Sequence, residues 1–297
     1  MTAPSYYQGL VYGFIAAFFW GTHSVIVRFL TADLGGLAVA CIRLYIAALC
    51  LGVFLKIRGY PIRIDFRSPV FWWTTLAATV NFVFFHVGLE YTDAPSAILL
   101  ENTAPIFVII GMFLIWRWKI RWAEMCSVTL VVFGAYYTVR DSFSLGGDVV
   151  TGDIMEIVAG LVWAVFIVGS SRALSTSSST NERVNFLFGV FIISAVLMTP
   201  FLFFSTYHVT LLDGTLLILL GVFPTAFAFI FWYEAAARVS TVTAALLFSL
   251  SIIFTFIFAA IFLGEEIRPD MMIGGALIIL GVGISKFSSP ESAAKKT

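Results

Sequence analysis

Glu90-Tyr91-Thr92-Asp93-Ala94-Pro95-Ser96 closes one long apolar stretch and opens the next, and Glu234-Ala235-Ala236-Ala237-Arg238-Val239-Ser240 does the same later in the chain. Two further segments echo at a similar offset, about 143–147 residues. Ala16-Ala17-Phe18-Phe19-Trp20 lies over Ala159-Gly160-Leu161-Val162-Trp163, and Phe133-Gly134-Ala135 over Leu280-Gly281-Val282. The chain therefore reads as one unit written twice. The seam falls in the polar loop from Arg140 to Asp153, which holds Gly146-Gly147. We place the first repeat at residues 1–142, the connecting loop at 143–153, the second repeat at 154–287 and a polar tail at 288–297.

Working outward, the apolar stretches number ten. They run approximately Leu10–Phe29, Gly36–Leu55, Phe71–Tyr91, Ser96–Trp116, Ala123–Val139, Ile154–Ser171, Val184–Phe204, Gly214–Ala237, Ala244–Leu263 and Met271–Ser285. Most approach the length of about 20 helical residues that crosses a hydrocarbon core about 30 Å thick. Continuous runs such as Val128–Val132 and Ile252–Phe258 exclude the dyad alternation of a membrane β-barrel. Each repeat has five stretches, an odd number, so equivalent helices cross in opposite directions. The expected fold is an all-α integral membrane protein, ten helices as two inverted repeats around a central cavity. Such repeats are typical of secondary transporters, with substrate near the midplane between the halves.

Composition agrees. Of 297 residues 60% are hydrophobic and 11% charged, against about 25% charged in soluble proteins. Seventeen basic residues balance seventeen acidic ones, so no basic face for nucleic acid is expected. The zero net charge hides an ordering. With the N-terminus in the cytoplasm, thirteen of the basic residues fall on the cytoplasmic side: Lys56, Arg58, Arg63, Arg67, Arg117, Lys119, Arg121, Arg172, Arg183, Arg238, Lys286, Lys295 and Lys296. Arg28, Arg140 and Arg268 fall opposite, and Arg43 lies within a helix. That bias orients both termini toward the cytoplasm. Trp72, Trp73, Trp116, Trp118 and Trp122 sit at the level of headgroup anchors. Cys41, Cys50 and Cys126 lie in apolar runs without metal or redox spacing, and read as packing residues.

At Trp20-Gly21, at Arg43 within Ile42-Arg43-Leu44-Tyr45-Ile46-Ala47-Ala48-Leu49, at Gly88–Ala97 followed by Pro105, and at Phe262-Leu263-Gly264-Glu265-Glu266 with Gly274, Gly275 and Gly281, the sequence resembles the EamA-type drug/metabolite transporters. The first half has Arg117-Trp118-Lys119 where a Gly-Glu pair is usual. The second half has Ser249 and Ser251 near the place of a proline. The resemblance implies two tandem five-helix repeats in a bacterial inner membrane and export of small metabolites. The aromatic richness is most similar to the bacterial aromatic amino-acid exporters of that family.

Few polar residues interrupt the apolar stretches, and buried charges there need partners. Arg43 suits a substrate carboxylate; its alternative is a structural ion pair with Glu101 or bonds to helix carbonyls. His23, His86 and the Glu101-Asn102 pair are expected near its level, with Glu156 one turn into the sixth stretch. His86 and Glu90, a turn apart, read either as a proton relay or as a core histidine and a solvated carboxylate. Pro105 frees a backbone carbonyl near Glu101, which reads as a gating or substrate site or as ordinary kinking; Pro200 and Pro224 mark further kinks. Trp20 and Trp163, equivalent in the two repeats, flank an aromatic substrate or pack against lipid. Tyr45, Asn81, Phe85, Phe166 and Phe227 are candidates to complete the cavity. Gly134, Gly274, Gly275 and Gly281 suit close packing at the periphery or against a second subunit in a homodimer.

No GxSxG, HExxH, P-loop or GxGxxG motif occurs, and His23, His86 and His208 lack the spacing of metal ligands. No enzyme activity, cofactor or metal is expected. The leading expectation is a transporter of aromatic or hydrophobic amino acids. A nucleotide-sugar or sugar-phosphate carrier, a channel and an intramembrane lipid enzyme are the rivals.

Overall fold

The computed structural model describes residues 3–116, 122–140, 146–176, 179–203, 209–238 and 241–285. Arg117, Trp118, Lys119, Arg121, His208, Lys286, Lys295, Lys296 and the tail at 288–297 lie outside these residues. All regular structure among the described residues is helical: α1 (Ala3–Leu34), α2 (Gly36–Ile57), α3 (Pro69–Tyr91), α4 (Ala94–Glu101), α5 (Ala104–Trp116), α6 (Trp122–Val139), α7 (Gly147–Thr176), α8 (Thr180–Leu202), α9 (Leu211–Leu220), α10 (Ala228–Ala236), α11 (Thr241–Phe258) and α12 (Pro269–Ser285). Among the described residues six segments are long and apolar enough to cross a membrane: Tyr6–Thr31, Gly36–Ile57, Pro69–Tyr91, Gly147–Ser170, Thr180–Leu202 and Leu211–Ala236. Met125–Thr138, Leu247–Leu263 and Pro269–Gly281 are shorter apolar helices. The fourth apolar stretch is broken at Asn102–Thr103, between α4 and α5.

Local chemistry sets the helix ends. Ser68 accepts from the Phe71 amide and Pro69 opens α3. Asp93 accepts from the Ser96 amide at 2.7 Å to start α4. Capping boxes begin α8 (Ser179 with Glu182) and α9 (Thr210 with Asp213). These oxygens satisfy amides that the first helical turn leaves free. Gly35, at φ 72°, turns the chain from α1 straight into α2 in a left-handed conformation that favours glycine. At Pro224 the missing N–H opens the ladder. Residues Gly221–Phe227 form a π-helical segment joining α9 to α10, and the Thr225 hydroxyl donates to the Leu220 carbonyl at 2.7 Å.

The helices of the two halves interlock. α3 packs along α7, and α1 packs on α10. α1 also packs on α11, while α7 packs on α4 and α5. α2 pairs with α8, and α6 with α12. Exchanging the halves maps each contact in this set onto another or, for α2 with α8 and α6 with α12, onto itself, so the packing obeys the two-fold relation of the repeats.

Small residues allow the close approaches. A Cβ on Gly21 would stand 2.2 Å from Phe254 Cβ, and one on Gly169 would stand 2.1 Å from Thr74 Oγ1. A Cβ on Gly134 would lie 2.7 Å from the Gly274 carbonyl, and Ser127 Oγ donates to the Gly281 carbonyl at 2.6 Å. The glycines of α6 and α12 thus meet one another within the chain, so the expectation of a second subunit there has no need to be invoked.

The chain's direction puts Lys56, Arg58, Arg63, Arg67, Arg172, Arg183 and Arg238 at one end of the bundle, hereafter the arginine-rich face. Arg28, Arg140 and Arg268 lie at the opposite face. Trp72 and Trp73 are exposed at 45% and 67%, and Trp122 at 77%, as interfacial anchors are.

Candidate functional site

Among the described residues four buried or half-buried polar side chains line a small central cavity. α2 contributes Arg43, α3 contributes Asn81, and the end of α4 contributes Glu101. His23 comes from α1. The break after Glu101 follows from Pro105, which has no amide to donate back into the preceding turn. Asn102 Nδ2 turns back to the Ile98 carbonyl at 2.9 Å, and Thr103 Oγ1 to the Leu100 carbonyl at 2.7 Å. The break leaves Glu101 at a helix end facing the cavity.

Arg43 is 2% exposed. Its Nη1 donates to Thr225 Oγ1 at 3.0 Å, and its guanidinium lies 4.7 Å from the centre of the Phe82 ring. Its Nε has no hydrogen-bond partner. Among the described residues no carboxylate pairs directly with Arg43. The structural ion pair with Glu101 considered from sequence is therefore absent, because Glu101 is held instead by Asn81. Asn81 Nδ2 donates to Glu101 Oε1 at 3.2 Å and to the Ala159 carbonyl at 3.0 Å. Cation and carboxylate thus face one cavity without neutralising each other.

The walls are aromatic. Trp20 and Trp163, one from each repeat, both meet Phe229 edge-on, at ring-centre separations of 5.4 and 5.8 Å. Both also contact Phe248, at 5.1 and 6.1 Å. Edge-on contact suits the ring quadrupoles. His23 stacks on Phe85 at 5.1 Å, and its Nε2 is buried without a partner. Ile98 and Pro224 complete the lining. The free volume is about 30 Å³, room for about two water molecules.

Of the residues expected at the site, Trp20, His23, Arg43, Asn81, Phe85, Glu101, Trp163 and Pro224 line the cavity. Phe166 stands behind it, stacked on Trp163 at 4.5 Å. His86 is fully buried beside His23, with Nδ1 bonded to the Phe82 carbonyl at 2.9 Å. His86 and Glu90 are not hydrogen-bonded to each other: Glu90 accepts instead from the Gly36 amide at the start of α2. Tyr45 faces outward, 37% exposed, with its hydroxyl 2.7 Å from Thr199 Oγ1. Phe227 is 36% exposed and meets Phe223. Both fall on the wrong helical phase for the cavity. Asn102, Pro105 and Pro200 shape backbone without lining it. Sequence reasoning missed Phe82, Phe229, Phe248, Ile98 and Thr225. Phe229 was findable, because it is the repeat partner of Phe85.

Polar clasps close both ends. On the opposite face Arg28 donates to the Leu89 carbonyl at 2.8 Å and lies 3.9 Å from Glu265, which accepts from the Ala94 amide. Arg268 pairs with Asp93 at 3.6 Å. Burial, with Asp93 adding, holds the Glu265 carboxyl up to about 7, so its pairing with Arg28 is complete only above that pH. On the arginine-rich face Glu234 binds Arg183 at 3.1 Å, Thr180 Oγ1 at 3.0 Å and Arg238. Glu90 with Gly36, and Glu234 with Thr180, are equivalent pairs of the two repeats, each lying 144 positions from its counterpart. The inverted fold carries one to each face.

Comparison with known proteins identifies the architecture. The EamA-like transporter family matches twice, over residues 7–140 and 150–286. An uncharacterized transporter of Archaeoglobus fulgidus is 29% identical over 69% of this chain and 71% of its own length. A second from that organism is 26% identical over 90% and 82%. The threonine/homoserine exporter RhtA of Escherichia coli is 24% identical over 88% and 86%. A solved crystal structure, 16% identical, superposes with a TM-score of 0.66 over 95% of this chain and 98% of that one, a likeness of fold.

Proposed function

The chain belongs to the EamA-like transporter family, and from that membership we propose that this multi-pass membrane protein exports amino acids with aromatic or other hydrophobic side chains. The observation that carries this reading is the cavity's composition. Arg43 and Glu101 face it without pairing to each other, so one is free for a carboxylate and the other for an ammonium. Trp20, Trp163, Phe229 and Phe248 surround the remaining space. A zwitterion with an apolar body satisfies both parts. Arg43 is the single Lys or Arg of the lining, which disfavours nucleotide sugars and sugar phosphates, whose phosphates want several cations. The name of the Escherichia coli relative, a threonine/homoserine exporter, favours a second reading in which the cargo is a small hydroxy amino acid.

In this reading the chain makes ten spans, with the arginine-rich face and both termini on the cytoplasmic side of a bacterial inner membrane; the excess of basic residues on that face supports the orientation. The halves rock about the cavity and expose it alternately. Purified protein in liposomes should take up labelled phenylalanine or tryptophan faster than threonine and homoserine. The hydroxy amino acids moving faster would establish the second reading, and no uptake of any above empty vesicles would refute amino-acid transport.

The clasps are the contacts such rocking must break. Glu234→Gln removes the charge that gathers Arg183 and Arg238. A shift of about 1.4 kcal/mol changes the open population about tenfold. We expect a Phe229→Cys reporter to react about tenfold faster with a soluble maleimide from the arginine-rich face when Glu234→Gln is added in a background lacking the native cysteines. Unchanged labelling would show that this clasp does not govern access.

A further inference from the structure

Glu156 takes no part in the cavity lining, yet among the described residues it is a buried ionisable group without a hydrogen-bond partner. It is fully buried on α7, and neither of its carboxylate oxygens has a hydrogen-bond partner. It packs against bare backbone: a Cβ on Gly88 of α3 would stand 2.6 Å from Glu156 Oε1. One turn further along the same face of α7, a Cβ on Gly160 would stand 2.9 Å from the Glu101 carbonyl and 3.0 Å from Thr103 Oγ1. Glu156 is thus held against α3 beside the broken end of α4. The titratable groups whose charges act on it are Glu101 from α4 and Asp153 from its own helix. α3 offers Gly88 there, and the turn leading into α5 offers the uncharged Thr103. Asp153 lies toward the opposite face, where it accepts from Thr92 Oγ1 at 2.7 Å.

A carboxylate buried with no donor and no counter-ion is sustained only as the neutral acid. A line of carboxyl groups therefore leads from the opposite face, at Asp153, through Glu156, to Glu101 at the cavity wall. We propose that Glu156 is a proton-binding site that couples substrate movement to proton exchange. The coupling half of this proposal rests on the amino-acid reading of the cavity; proton binding does not. Glu101 cannot hold a proton and a substrate ammonium together. As the ammonium leaves, the Glu156 acid passes its proton to the Glu101 carboxylate. Glu156 becomes the carboxylate and Glu101 the acid, so the pair carries one proton and one negative charge before and after. Glu156 regains a proton from the Asp153 side, and Glu101 releases its own when the next ammonium arrives.

Two measurements test this on the full chain. Infrared difference spectra at neutral pH, wild type minus Glu156→Gln, should leave a protonated carboxyl band that belongs to Glu156, the bands of other carboxyl groups such as Glu265 cancelling. This readout needs no substrate, and absence of the band overturns the proposal. In liposomes, a pH gradient should stimulate phenylalanine transport by the wild type several-fold. Glu156→Gln should lose that stimulation while retaining phenylalanine exchange at equal pH, and Glu156→Asp should recover part of it. Stimulation that persists in Glu156→Gln, or that follows a sodium gradient instead, overturns the coupling. If neither phenylalanine, tryptophan nor threonine moves under any condition, the substrate reading falls and the infrared band alone decides whether Glu156 holds a proton.

Discussion

Arg43→Ala should abolish measurable transport while the purified protein stays monodisperse. Among the described residues Arg43 is the only Lys or Arg lining the cavity, its Nε is unengaged, and one Thr225 hydroxyl and the Phe82 face are its partners. Removing one member of a buried, hydrogen-bonded charge pair costs about 2–5 kcal/mol, roughly 30- to 5,000-fold in affinity. Arg43→Lys should fall between, because it keeps the charge but loses the planar fork. The measurement is concentration-dependent uptake of phenylalanine beside the elution profile of each variant. Wild-type kinetics in a well-folded Arg43→Ala protein would remove Arg43 from the site.

Trp163→Ala should have two effects that Trp163→Phe separates. The indole is 4% exposed, stacked on Phe166 and edge-on to Phe229. Truncating a tryptophan in such packing costs about 3–5 kcal/mol, so the melting temperature in detergent should drop. Trp163→Phe keeps an aromatic face and should recover most of that loss. If Trp163 forms cavity wall, both variants should also shift the ratio of phenylalanine to threonine transport. An unchanged ratio at wild-type stability for Trp163→Phe would assign the indole to packing alone. Trp20, against Phe229 and Phe248 from the other repeat, should respond in the same sense.

The reach of sequence reasoning differs between fold and site. The apolar stretches were legible because crossing hydrocarbon demands length and apolarity with few exceptions. Even so, the fourth stretch is two helices, since the Pro105 break lies inside an apolar run that hydropathy does not register. The polar members of the site were legible because charge inside the bundle is rare: Arg43, Glu101, His23 and Asn81 were found and are brought together. Its aromatic members were not. With 31 phenylalanines, residue type carries little information about direction. Tyr45 and Phe227 turn outward while Phe82 and Phe248 turn in.

By itself the sequence determined that this protein is a duplicated bundle of membrane helices whose few buried charges form a short list. Those properties follow from ancestry and solvent: the repeat is written in the residues, and a lipid core imposes a composition. Only the tertiary structure decided how those charges pair. Glu101 goes to Asn81 and not to Arg43, Glu90 goes to the start of α2 and not to His86, and Glu156 finds no hydrogen-bond partner among the described residues. Such choices depend on helix phase and on approaches of a few ångströms, as at Gly88 and Gly160. The same geometry divided the aromatics, setting Phe14, Phe18 and Trp73 on the exposed surface and Trp20, Trp163 and Phe229 around the cavity. A period of 3.6 residues permits either placement, and packing between the two repeats selects one.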